Sequence, residues 1–152
     1  YVAGLLHNLG ILILAITFPE YFKEIYQKPF ENPDSIIESE CNNVGWDHAK
    51  IGAYYLWNHH IADNVVDAIH WHNQPEMAKE SPKLAAAIQV SDRFISELGF
   101  TGLANYPIPK SGSHKTLTGW KMLFDDKEDP AAVEEKLSQC AERLDQTLNG
   151  II

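Results

Sequence analysis

The sequence predicts an all-α fold on three observations. Apolar residues recur at spacings of three and four through most of the chain, as they do on helices that bury one face. Helix-starting residues stand where these stripes begin: Asn32-Pro33, Asp47, Ser81-Pro82 and Asp129-Pro130. No segment alternates apolar and polar residues with the period of a strand, and there is no internal repeat or heptad run.

Val2 to Thr17 is apolar on all sides, with Leu5, Leu9, Leu12 and Ile16 on one face and Leu6 and Ile13 near another. That pattern predicts a central, buried helix. Pro19 opens a second helix whose stripe is Tyr21, Phe22, Ile25 and Tyr26, ending near Pro29. A third begins at Asn32-Pro33, carries Ile36, Ile37 and Glu40, and stops at Gly45. Asp47 caps a fourth, with His48, Ile51, Gly52, Tyr55 and Leu56, which breaks at Asn58-His59-His60. Asp63 to His72 forms another before Pro75, and Ser81-Pro82 opens one running to Gly99 through Leu84, Ala87, Ile88, Ser91, Phe94, Ile95 and Leu98. Residues 100–113 are the Gly/Pro-rich loop, and 114–150 close the domain with a short helix over Leu117 to Phe124 and a long one from Asp129-Pro130 to Asn149-Gly150.

With 152 residues the chain is one domain or most of one, able to bury roughly 70% of its unfolded surface without a disulfide or zinc staple. It opens inside an apolar stretch, which predicts that helices preceding Tyr1 in a longer domain are missing. A hydrophobic content of 45% excludes a disordered chain. The 21 acids against 12 Lys and Arg exclude a duplex-binding surface, which needs clustered cations. Between Asp125 and Asp145 stand eight acidic and three basic residues, a solvated helix face or a surface for a protein partner. Cys41 and Cys140, far apart and outside any CxxC spacing, read as reduced, part-buried thiols, with one disulfide as the alternative. Val2 to Phe18 carries His7 and Asn8, lacks a basic leader and a cleavage site, and is short for a membrane span, so the expectation is a cytoplasmic protein with no membrane contact.

Seven histidines require an inventory. His59 and His60 fall at a helix end, where imidazoles bond exposed carbonyls. His114 lies beside the loop with nothing to support a role. On a helix His70 and His72 point about 200° apart and cannot share a site. His7, His48 and His72 come from separate helices, and Asp92 from a fourth, which is how bundle interiors assemble metal sites. Three imidazoles and a carboxylate suit Mn, Fe or Zn at a hydrolytic centre. His7 is followed by Asn8, however, and a neutral amide bridges metals poorly.

These residues carry a resemblance. Gly4-Leu5-Leu6-His7-Asn8-Leu9-Gly10 is similar to the GLLHDIG segment of the HD phosphohydrolase superfamily. Glu40 followed by Gly45 to Ala53, with Asp47-His48 and Gly52-Ala53, is similar to its DHxxxGA helix, and Ala68 to Glu76 resembles its AIxxHHxPE segment. With Asp92 these resemble the HDOD domain, a branch of that superfamily found in bacterial signalling proteins; the similarity runs from about Tyr1 to Leu98. The resemblance implies a compact HD-like helical bundle and a regulatory role without established catalysis. It places His7, His48, His72 and Asp92 at metal-site positions, with Asn8 in place of an aspartate and Asn73 in place of the second histidine of the HH pair. No GYP follows His72, unlike the cyclic-dinucleotide phosphodiesterases of the superfamily. The expectation is a non-catalytic signal-transduction module with a degenerate metal site, partnered by other signalling proteins or domains or by its own copies, and not by nucleic acid. No cofactor is expected, with a divalent Mn, Fe, Mg or Zn ion as the alternative. The competing reading is a metal-dependent phosphohydrolase of nucleotides or other phosphoesters, against which only Lys50 and Arg93 stand beside the candidate ligands to receive phosphate. A third is a buried polar network that fixes helix register.

Overall fold

A computed structural model describes residues 1–103, 105–124 and 129–149. They form helices α1 (Val2–Leu6), α2 (Leu9–Thr17), α3 (Pro19–Tyr26), α4 (Pro33–Val44), α5 (His48–Asn58), α6 (Asp63–His70), α7 (Pro82–Glu97), α8 (Thr118–Leu123) and α9 (Pro130–Asn149). Short 3-10 turns occupy Pro75–Met77 and Ser113–Thr116, and no strand occurs among the described residues. The all-α expectation and most predicted boundaries agree with this order.

The caps act as their chemistry dictates. Asn32 Oδ1 accepts from Ser35 N at 3.0 Å while Ser35 Oγ accepts from Asn32 N at 3.4 Å, a reciprocal cap that satisfies two otherwise orphaned amides. Gly45 ends α4 at φ 86°, a left-handed turn that a side chain would strain. Asp47 Oδ1 then accepts from Lys50 N at 2.8 Å and starts α5. At the other end of α5, His59 Nδ1 bonds Tyr55 O at 2.8 Å, as expected of an imidazole at a helix terminus. The connection into α7 is held by Asp67, whose Oδ2 accepts from Glu80 N and Ser81 N at 2.8 and 3.1 Å.

The expectation for Val2–Thr17 is corrected: it is two helices, and its apolar residues are not all buried. His7 Nδ1 donates to Gly4 O at 2.8 Å, the carbonyl that the Asn8 amide would take in a continuous helix, and α1 stops there. α2 packs on α5 and α3, which buries Gly10 and Leu14 and leaves Leu12 and Ile16 60% and 83% exposed, while Leu5 of α1 is 70% exposed. An all-round apolar pattern records what a helix tolerates, not how many neighbours it meets. The cysteine expectation is corrected too: Cys41 and Cys140 are both free, but both are exposed.

The α2–α5 crossing depends on two glycines. A Cβ on Gly10 would overlap the His48 carbonyl oxygen and lie 2.9 Å from Gly52 N, and one on Gly52 would lie 3.0 Å from Gly10 N. Only bare backbones fit at this separation, which sets the start of α5, and with it His48, directly on α2.

Three apolar clusters hold the elements together. Ala3, Ala53, Leu56, Ile69 and Ala85 join α1, α5, α6 and α7. Ile25, Tyr26 and Ile36 join α3 to α4, with Leu103 and Tyr106 of the loop packed on them. Val90, Trp120 and Val133 join α7, α8 and α9. Of the acidic tail, Glu134, Glu135 and Glu142 are exposed, as a solvated face requires, while residues 125–128 lie outside the described residues. Among the described residues no single helix is long and apolar enough to cross a membrane.

Candidate functional site

Four segments bring His7, His48, His72 and Asp92 together. His7 sits in the α1–α2 break, His48 is the first residue of α5, His72 lies in the turn after α6, and Asp92 is in mid α7. The His72 ring is 5.3 Å from that of His7 and 5.6 Å from that of His48, centroid to centroid. His7 Nε2 meets Asp92 Oδ1 at 3.2 Å.

In each imidazole the Nδ1 atom is anchored. His7 Nδ1 donates to Gly4 O at 2.8 Å, His72 Nδ1 donates to Ile69 O at 2.7 Å, and His48 Nδ1 is 2.8 Å from Glu40 Oε2. Such anchoring fixes ring orientation and leaves Nε2 as the atom available to a ligand.

The Glu40 carboxylate is fully buried and organises one side of the site. It accepts from the His48 ring, from the His48 backbone amide at 2.9 Å and from the Tyr26 hydroxyl. Burial alone would push the His48 pKa down, but the Glu40 hydrogen bond and charge outweigh it and hold the ring above its ordinary value. Burial, followed by the Glu40 charge, drives the Tyr26 phenol well above the usual tyrosine range, so it stays a donor. His72 has no carboxylate against its Nδ1; burial, with the neighbouring His48, lowers its pKa to about 3 and keeps it neutral. For Asp92, burial raises the pKa, but the His7 hydrogen bond and charge prevail and hold the carboxyl below the usual carboxylate range.

The fit to a metal can be tested on these contacts. The donor types and the Nδ1 anchors suit one. His7 Nε2 and Asp92 Oδ1, two of the four candidate ligand atoms, meet at 3.2 Å, a separation that two ligands of one ion also have. Among the described residues no group of three or more His, Cys, Asp or Glu side chains is set to hold a metal ion. As arranged, the residues do not fit one.

Asn8 and Asn73, the departures from the superfamily pattern, both border the same cavity, of about 610 Å³. His48, His72, Gln89, Asp92 and Arg93 form its polar floor; residues of α2, α3 and α4 and loop residues Leu103 and Tyr106 form its apolar wall. Gln89 ties the floor together, donating from Nε2 to Asn73 O and accepting at Oε1 from Gly119 N, both at 2.9 Å. The Asn73 Nδ2 amide is buried and has no hydrogen-bond partner. Of the two cations read beside the ligands, Arg93 borders the cavity, whereas Lys50 lies outside it with its ammonium 4.9 Å from the Trp46 ring centre. His70 stacks on Trp71 at 4.4 Å, away from the site.

Two groups escaped the sequence reading. Glu40 appeared there only as part of a motif, although its position four residues after Ile36 puts it on the buried side of α4. His114, to which no role was given, is buried: its ring Nδ1 is 2.9 Å from Glu97 Oε2, and Glu97 also accepts from Gly112 N, Ser113 Oγ and His114 N. These bonds outweigh burial and hold the Glu97 carboxyl below its ordinary range. They clamp the far end of loop 100–112 to α7, one turn beyond Asp92.

Fold and site thus define an all-α, HD-like helical domain with a polar pocket where four segments meet. Residues 1–75 match the family model of the HDOD domain. An uncharacterized protein of Treponema pallidum (strain Nichols) is 28% identical over 98 residues, 62% of this chain and 19% of that protein, so the chain spans about a fifth of that relative's length. No solved structure matches the chain.

Proposed function

We propose that this HDOD-like domain is a non-catalytic regulatory module of bacterial signal transduction, acting in the cytoplasm on other signalling proteins or domains. The observation that carries this reading is the pair of neutral amides, Asn8 and Asn73, that border the cavity beside His48, His72 and Asp92. By the superfamily pattern a hydrolytic metal centre would have a bridging carboxylate at position 8 and a ligand at position 73. Asn8 and Asn73 supply neutral amides instead. The polar residues then serve as a hydrogen-bonded network that fixes the meeting of four helical segments. The chain's excess of acids over bases directs its contacts toward proteins rather than nucleic acid.

A second reading, a metal-dependent phosphohydrolase, is favoured by one observation: all three Nδ1 anchors orient the rings as metal-binding histidines are oriented. An assay separates the two. The purified protein, supplied in turn with Mn, Fe, Mg and Zn, is offered generic and nucleotide phosphoesters, and its melting is followed with metal and with chelator. The expected result is no turnover and no metal-dependent shift of the midpoint. Turnover that disappears in His48→Ala would overturn the regulatory reading.

A further inference from the structure

The charges on the cavity floor are paired, with one exception. Glu40 faces His48 and Asp92 faces His7, each within hydrogen-bond distance. The Arg93 side chain is only 20% exposed, yet its guanidinium makes no hydrogen bond among the described residues. Its nearest carboxylate, Asp34, is 3.9 Å away and 83% exposed, where water competes for it and the pair contributes little. Arg93 thus presents a planar fork of donors at the cavity. Asn73, whose Nδ2 donor is buried and without a partner, belongs to the same lining. Buried donors in native proteins are nearly always satisfied, so an unmatched amide and an unmatched guanidinium from one lining point to an acceptor supplied from outside the chain.

The opposite wall is apolar. Leu9 and Leu12 of α2, Phe22 of α3, Ile36 of α4 and Leu103 of the loop line it. Leu12 is 60% exposed, an apolar surface that folding leaves in contact with water. A volume of about 610 Å³ lies within the range of small-molecule sites, which pair apolar walls with a few placed polar groups.

We propose that this cavity binds a small amphipathic oxyanion: an acyl or aryl body against the α2 wall, and a phosphate or carboxylate head received by Arg93 and Asn73. This rests on the regulatory reading in one respect, that a phosphate ester is held and not hydrolysed. Two paired acids flank the floor, so the head is read by Arg93 in its forked geometry rather than by a general positive field.

Calorimetry on the purified protein with five probes tests this: octyl phosphate, octanoate, 1-octanol, inorganic phosphate and acetate. Octyl phosphate and octanoate are expected to bind at least tenfold more tightly than octanol and than the headgroup-only anions, and their ratio tells which head the site prefers. Arg93→Gln is expected to weaken both headed ligands about 10- to 100-fold, the range of a lost charge-assisted hydrogen bond, and to leave octanol unchanged. Arg93→Lys keeps the charge without the fork and should fall between. Leu12→Gln, at an exposed position that folding does not need, should weaken octyl phosphate and leave inorganic phosphate alone. Octanol binding as tightly as octyl phosphate, inorganic phosphate doing so, or full affinity in both Arg93 variants would each overturn the proposal. Release of phosphate from bound octyl phosphate would overturn the non-catalytic reading and leave the pocket standing. Failure of all probes to bind, without turnover, would remove the pocket and leave that reading standing.

Discussion

Glu40 receives the Tyr26 hydroxyl, the His48 ring and the His48 amide, so one buried carboxylate links α3, α4 and α5 beneath the cavity. Removing its charge while keeping its shape tests what it supports. Glu40→Gln is expected to cost about 2–3 kcal/mol, since it weakens charge-assisted bonds in a site closed to water. The pH dependence is the more specific readout. His48 has a folded-state pKa above its ordinary value of 6.5 because Glu40 outweighs burial. The unfolded chain therefore releases this proton first as pH rises. The stability that the pair contributes is present in full below pH 6.5 and is lost as pH climbs through the folded value. In Glu40→Gln burial, the largest influence, lowers the pKa against only the smaller charges of Asp47 and Asp92, and this alkaline loss should shrink. Urea denaturation at pH 6 and pH 9, for parent and variant, measures it; equal losses in both proteins would show that His48 is not the titrating group. The histidines could be picked out from the sequence because motif and spacing mark them. Their orienting partners could not: Gly4 O and Ile69 O are backbone atoms, and Glu40 is one acid among many until α4 and α5 are docked.

Among the elements, the starts and stops of α4, α5 and α7 were legible because the information is local: Asn32-Pro33, Gly45, Asp47 and Ser81-Pro82 each act within one turn. The α1–α2 segment was misread because its decisive contacts are not local. His7 diverts the Gly4 carbonyl, and the Gly10–Gly52 approach determines which face of α2 is covered. The Glu97–His114 clamp was missed for the same reason, since its two halves lie on either side of the Gly/Pro loop. Two glycines in this segment give a controlled comparison. Gly10→Ala places a methyl group on the His48 carbonyl, backbone against backbone, with no side chain to yield; a loss of about 3 kcal/mol or more is expected, at the upper end of overpacking. Gly4→Ala meets nothing within 4 Å and sits in a helix, so it should be neutral or gain up to about 1 kcal/mol from helix propensity. Thermal melts of the two variants check this. Similar midpoints would mean that α2 and α5 do not cross at these residues.

At the scale of the whole molecule, the three apolar clusters divide the labour. The two that join α1 and α3–α7 carry the cavity, while α9 is attached through the third, by Val133 and Leu137 against Val90, Trp120, Leu123 and Phe124. α9 has 20 residues and is about 30 Å long, yet most of its described side chains are exposed and Val133 is the one buried among them. Its attachment therefore rests on a narrow contact that one substitution can open. Val133→Asp puts a charge among aromatic rings, which no helix tolerates while docked, and should cost about 2–4 kcal/mol, enough to free α9. Val90 and the Gly119 amide, bonded to Gln89 Oε1, tie the same region to the cavity floor, so the outcome distinguishes two architectures. If the clusters are separable, α9 amides lose their protection from hydrogen exchange while the side-chain NMR signals of His7, His48 and His72 keep their parental positions. That is the expected result, because no hydrogen bond or ion pair among the described residues joins α9 to those histidines or to Asp92. Among the described residues the side-chain hydrogen bond that ties α9 to the rest of the domain is Lys115 Nζ to Glu134 Oε2 at 2.7 Å, between exposed groups that contribute little. Coincident loss of α9 protection and of the histidine signals would instead make the tail part of one cooperative unit with the site. A partner that binds the acidic face of α9 would then act directly on the cavity.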